Sequence, residues 1–151
     1  MREALEDAKE ELKRVEHLFY VSLKYTRTVD MMRKLIERLI STFDYGMLSL
    51  LKCAQAKKKI KEIPSTPISK GELVKKIYNE PKIKEYIDMY LLLRKLMRMP
   101  YTKREEYRRH VTMTSQVGDE QVETHIDSLK EDYDKAIDFL SIVQETISSK
   151  K

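Results

Sequence analysis

The chain has 151 residues, enough for one domain with a substantial core and too few for two of ordinary size. Charged residues make up 36% and the apolar class 41%, while three glycines and four prolines leave little room for the turns of an all-β protein; composition points to helices. The net charge of +5 comes from thirty basic against twenty-five acidic residues, so the surface is interleaved, not polycationic, and suits an anionic partner without compelling one.

From Arg2 to about Ser22, Leu5, Ala8, Leu12, Val15, Leu18 and Phe19 recur at three- and four-residue spacing and predict an amphipathic helix with one buried stripe. The amino terminus is charged from its second residue, and no apolar run approaches the ~20 residues that span a bilayer, so a cytoplasmic location is expected. The pattern resumes from Val29 through Met32, Leu35, Ile36, Leu39, Phe43, Met47 and Leu50 to Ala54, a second helix of about thirty residues. Gly46 inside it costs about 1 kcal/mol relative to alanine and marks the close approach of a neighbouring helix or subunit. Cys53, the only cysteine, falls in the same apolar pattern and reads as a buried thiol.

Lys57, Lys58, Lys59 and Lys61 form the densest basic run, followed by a linker near residues 60–68 in which Pro64 and Pro67 interrupt any helix. Ser69, with Glu72 three residues on, predicts the capping box of a short helix carrying Leu73, Val74 and Ile77. Pro81 opens the next helix, which runs to about Arg98 and is stopped by Pro100. Thr102 to His110 reads as another short helix, capped by Thr102 with Glu105 at its third position.

The period then changes to two around the Gly118-Asp119 turn signal, predicting a β-hairpin near residues 111–126. Pairing Val117 with Val122 sets Met113 opposite Ile126 and Thr114 opposite His125, with an apolar face toward the bundle and a polar face outside. A last helix begins near Asp127 and carries Leu129, Tyr133, Ala136, Leu140, Val143 and Ile147, with Ser148–Lys151 expected to fray. The whole is a single mainly α domain over residues 1–151, a bundle of about five to six helices with one small hairpin.

The segment Tyr101–Thr114 holds the residues best suited to chemistry. Arg104 and His110 are six positions apart, roughly 240° around one helix, and share a face only if that helix ends early. A guanidinium can stabilise charge on phosphate oxygens and an imidazole can pass protons near neutral pH, which is what phosphodiester cleavage needs. The same residues also suit a solvated helix for Arg104, paired with Glu105 or Glu106 neighbours, and a structural junction for His110. The lysine run could attract RNA, or simply complement the carboxyl end of the second helix. Tyr86, Tyr90, Tyr101 and Tyr107 could stack on bases, although Tyr86, Tyr90 and Tyr133 fall at core spacing.

His17, His110 and His125 are the whole histidine set and lack the paired spacing of a zinc site; no metal or cofactor is expected. No glycine-flanked nucleophile turn or phosphate-cradling loop is present in the sequence.

A long amphipathic helix pair, a variable insertion and later helices carrying Arg104-x5-His110 resemble the HEPN superfamily, the higher eukaryote and prokaryote nucleotide-binding helical bundles. The resemblance spans about Leu5 to Ile147 and implies a metal-independent ribonuclease, commonly a homodimer. Arg104 and His110 match the family's catalytic motif, with single-stranded RNA as partner and Arg108, Arg109 and the lysines Lys57, Lys58, Lys59 and Lys61 drawing in its backbone. Some family members pair with a nucleotidyltransferase. The alternative is a noncatalytic helical interaction or dimerisation module.

Overall fold

A computed structural model describes residues 1–148; the part of the expected frayed terminus from Ser149 on lies outside them. The fold is mainly α, with five helices and a small three-stranded antiparallel sheet. Helix α1 (Arg2–His17) continues through a π-helical turn at Leu18–Ser22 and a last turn at Leu23–Tyr25. Helix α2 (Val29–Ala56) is capped by Thr28, whose side chain accepts from the Met31 N–H at 3.2 Å. It is the hub of the bundle, packing against α1, α3 (Pro67–Ile77), α4 (Pro81–Arg98) and α5 (Ile126–Ser148). Its apolar stripe from Val29 to Ala54, Cys53 included, is buried.

Gly46 marks a close approach of helices. A Cβ there would stand 2.6 Å from Cε2 of Phe139 on α5, so the bare backbone is what lets α2 and α5 meet. Tyr86, Tyr90 and Tyr133 are buried as their spacing implies. The Tyr90 hydroxyl donates to Asp44, and Arg94 closes the group with bonds of 2.7 Å to Tyr90 and 3.0 Å to Asp44, tying α4 to α2. Burial chiefly, then Asp44, pushes the Tyr90 phenol well above its ordinary range.

Three expectations are corrected. Helix α3 is capped by Thr66, not Ser69: Thr66 Oγ1 accepts from the Ser69 N–H at 3.1 Å, Pro67 takes the first helical position, and Glu72 pairs with Lys75. The Thr-Pro pair supplies both an N-cap and a pre-set φ, which outweighs the later serine.

The hairpin forms from β2 (Thr112–Val117) and β3 (Glu120–His125), but Val117 pairs with Glu120, Ser115 with Val122, Met113 with Thr124 and Thr112 with His125. The register is thus two residues from the expected one. A shift of two preserves which side chains share a face, so Met113, Ser115 and Thr124 are buried toward the bundle, whereas Thr112 on the opposite face is buried as well, against the expected polar exterior. A two-residue loop with Gly118 at φ 61° makes the tightest reversal and selects this register.

The third correction is the largest. Thr102–His110 is not a helix: Tyr101–Arg104 is strand β1, paired antiparallel with β2, followed by a loop in which Glu105 and Tyr107 take φ of 60° and 65°. A helix here would present no apolar stripe to bury, whereas a strand gains ladder bonds along the open edge of β2. Tyr101 also gains a partner, since the Arg33 guanidinium of α2 lies 4.1 Å over its ring while donating to the Met97 carbonyl at 3.1 Å.

One carboxylate of α5 gives the fold a pH signature. Burial lifts Asp132 to about 6, with Lys135 pulling it down and Glu131 raising it further. Because the folded value exceeds the unfolded one, near 3.9, the stability this group contributes is full below about pH 4 and is lost as pH rises through 6. Asp132→Asn is therefore expected to stabilise the protein on the order of 2 kcal/mol at pH 7.5 and by nothing at pH 4. Urea midpoints at the two pH values check this; an equal change at both would remove the titration as its cause.

Candidate functional site

The loop between β1 and β2 is sewn to the entrance of α2. The Val29 N–H donates to Glu106 Oε2 at 2.9 Å, and the Tyr107 N–H donates to the Arg27 carbonyl at 2.6 Å. Val111 is buried at the far end of the loop, with its N–H bonded to the Arg108 carbonyl at 3.2 Å. Glu106 thereby satisfies an orphan donor at the start of α2, and the half-buried Arg27 is brought beside the segment carrying Arg109 and His110.

The second half of the site is the junction of β3 with α5. The His125 N–H donates to Ser128 Oγ at 2.9 Å, and the serine hydroxyl returns a bond of 2.9 Å to the His125 carbonyl, which fixes the backbone where strand becomes helix. The ring is fixed by Thr112, its cross-strand partner. Thr112 Oγ1 donates to the His110 carbonyl at 2.8 Å and lies 3.1 Å from His125 Nδ1. A hydroxyl has one proton, so with that proton on the His110 carbonyl, Thr112 accepts from Nδ1–H. The hydrogen-bond pattern assigns the neutral ring the tautomer whose Nε2 lone pair is free.

Arg27, Arg109, His110, His125, Ile126 and Asp127 line one cleft of 440 Å³, a volume suited to a small ligand or a single nucleotide. Three segments far apart in sequence supply two guanidiniums, two imidazoles and one carboxylate. Asp127 offsets part of the positive charge, leaving the wall net cationic. Such a wall can hold an oxyanion while the imidazoles exchange protons with what is bound.

The site residues expected from the sequence divide among several places. His110 and Arg109 line the cleft. Arg104 does not: it stands on the outer face of the sheet, ion-paired at 2.9 Å to Glu123, whose other oxygen lies 3.9 Å from His125 Nε2. Arg108 lies on the exposed part of the loop, its N–H bonded to the Glu105 carbonyl at 3.2 Å. Lys57, Lys58, Lys59 and Lys61 are exposed beyond the carboxyl end of α2, whereas Arg27 precedes its amino end. At 1.5 Å per residue the 28 residues of that helix separate the two by about 40 Å, so the lysine run cannot share a compact site with the cleft.

Arg27 and His125 were not singled out as site residues by sequence reading. Arg27 sits in a short polar break between helices, with nothing local to mark it. For His125 the available signal was its place on the polar face of the hairpin. Among the described residues, no group of three or more His, Cys, Asp or Glu side chains could hold a metal ion.

Thr112 is the testable hinge of this geometry. Thr112→Val keeps the shape and removes the acceptor, so the neutral His125 ring is expected to shift toward Nε2–H, with a loss of about 1 kcal/mol in stability. Imidazole ¹⁵N shifts report the tautomer directly, and Thr112→Ser should retain the parent's pattern; unchanged shifts in the valine variant would refute the assignment. No helix among the described residues is long and apolar enough to cross a membrane. Comparison with family models, with curated proteins and with solved structures finds no match to this chain.

Proposed function

We propose that the cleft holds a phosphodiester of RNA and that the protein is an HEPN-like, metal-independent endoribonuclease. The observation that carries this reading is the convergence of His110, His125, Arg27 and Arg109 on one ligand-sized cleft. In the proposed reaction His125 Nε2 takes the proton of a ribose 2′-hydroxyl as that oxygen bonds to phosphorus. His110, protonated, gives a proton to the departing 5′-oxygen as its bond to phosphorus breaks. Arg27 and Arg109 stabilise the charge that grows on the non-bridging oxygens. Arg104 acts at one remove, by holding Glu123 beside His125. The family resemblance extends the proposal to a cytoplasmic homodimer, with a nucleotidyltransferase as a further partner.

The test is incubation of the purified protein with labelled single-stranded RNA in the presence of chelator. Cleavage leaving a cyclic phosphate, and its abolition by a 2′-deoxy substitution at the cut site, is the expected outcome. A protein that neither cuts nor retains RNA would replace this reading with the noncatalytic interaction module.

A further inference from the structure

Helices α3 and α4 pack with the amino end of α3 against the carboxyl half of α4. A Cβ on Gly71 would stand 3.0 Å from Ile87 Cγ2 and 3.7 Å from Leu91 Cδ1, so the bare backbone of α3 rests on those two side chains. Lys75 bonds Asp88 at 2.8 Å across the pair. Pro67 and Arg94 face each other at the far end, where Arg94 is held by Asp44 and Tyr90. The two helices leave between them a preformed recess of 390 Å³ that shares no lining residue with the histidine cleft.

This recess has two kinds of wall. Pro67, Ile68 and Leu91 are aliphatic, and Ile68, at 58%, is the most exposed large aliphatic side chain among the described residues. Arg94, Lys95 and Arg98 are cationic. Arg94 is engaged by Asp44, but Lys95 and Arg98, both exposed, form no ion pair among the described residues. The dipole of α4 accounts for two cations on its last turn. It does not account for an aliphatic recess opening beside them with an isoleucine left in water. Among the described lining residues there is no carboxylate to repel an anion and no aromatic ring on which a base could stack.

We infer that this recess binds an aliphatic carboxylate, a small acyl anion whose chain covers Pro67, Ile68 and Leu91 and whose head group meets Lys95 and Arg98. A guanidinium can take both carboxylate oxygens at once, and the lysine adds a point charge. Covering the chain removes apolar surface from water on both partners. An exposed ion pair alone is weak, so the ligand class is set by the combination of charge and chain.

The test is a titration of the ¹⁵N-labelled full chain with decanoate below its micelle concentration, beside acetate and decanol. Decanoate is expected to move the Ile68, Leu91 and Arg98 amides saturably and to bind at least about tenfold tighter than acetate, which lacks the chain. Decanol should bind several-fold more weakly than decanoate. Lys95→Gln and Arg98→Gln should each weaken decanoate about three- to fivefold and leave decanol unchanged. Ile68→Ser should weaken both decanoate and decanol, by about tenfold. Arg109→Gln, in the other cleft, should change neither. Decanoate that causes no saturable shift at these amides would overturn the proposal, as would binding abolished by Arg109→Gln or indifferent to the Lys95→Gln/Arg98→Gln pair. Capture of the protein by anionic phosphatidylglycerol vesicles, with no binding of monomeric decanoate, would overturn it in favour of a membrane-facing patch.

Discussion

His125→Ala is expected to lower the single-turnover rate of RNA cleavage by about 10²- to 10⁴-fold, the range typical of losing a positioned proton-transfer group. His110→Ala should fall in the same range. Because a base and an acid serve one transition state, the double variant should be little worse than either single one, not the product of the two. Arg104→Ala, by contrast, should reduce the rate only several-fold, since its guanidinium meets Glu123 and reaches the cleft through that carboxylate and His125. The comparison separates two locations for the chemistry: Arg104 with His110, as the sequence motif implies, or His125 with His110 between Arg27 and Arg109. Rates measured in chelator on one labelled RNA, with thermal melts alongside, decide it. A collapse in Arg104→Ala with His125→Ala unaffected would move the chemistry out of the cleft to the Arg104–Glu123 pair. His125→Asn serves as the control for folding, because its amide can reproduce the Nδ1–H bond to Thr112 while lacking Nε2 as a base.

The difference between those two locations also shows what could be read in advance. Helices that bury an apolar stripe announce themselves: Val29 to Ala54 repeats at three and four residues because that face meets α1, α4 and α5. The polar alternation of β2 and β3 was legible for a similar reason, one face being covered and the other, apart from Thr112, wet. Strand β1 carries no such mark. Its four residues, Tyr-Thr-Lys-Arg, are chosen by the open edge of β2 and by the Arg33 guanidinium above Tyr101, both of which exist only after folding. Reading that segment as a helix placed Arg104 and His110 on one element. A strand followed by a strained loop sends them to different partners. Arg27 joins the site through a backbone bond to Tyr107, eighty positions away, and backbone bonds leave no trace in side-chain pattern.

Gly46→Ala should destabilise the protein by about 2 kcal/mol even though alanine favours a helix by about 1 kcal/mol. The added methyl would meet Phe139 Cε2 at 2.6 Å and Leu140 Cδ2 at 3.2 Å. Relief requires the Phe139 ring to withdraw, and that ring is held from two sides, stacked at 4.8 Å on Phe43 and edge-on at 6.4 Å to Tyr86. Both contacts lie in the closed core, where displacement opens a void on one side as it relieves a clash on the other. For a chain of this size the loss corresponds to a melting temperature lower by roughly 4–8 °C. Phe139→Leu by itself should also destabilise, by about 1–3 kcal/mol, through lost ring contacts and the space they leave. In that background, however, the methyl of Gly46→Ala has room, and the substitution should become neutral or gain up to about 1 kcal/mol from helix propensity. The double-mutant cycle then carries an interaction energy of about 2–3 kcal/mol between positions 46 and 139. Additive losses would mean that Gly46 is required for a reason other than the passage of the Phe139 ring, and a rise in melting temperature for Gly46→Ala alone would remove the close approach of α2 and α5 as a constraint on the sequence.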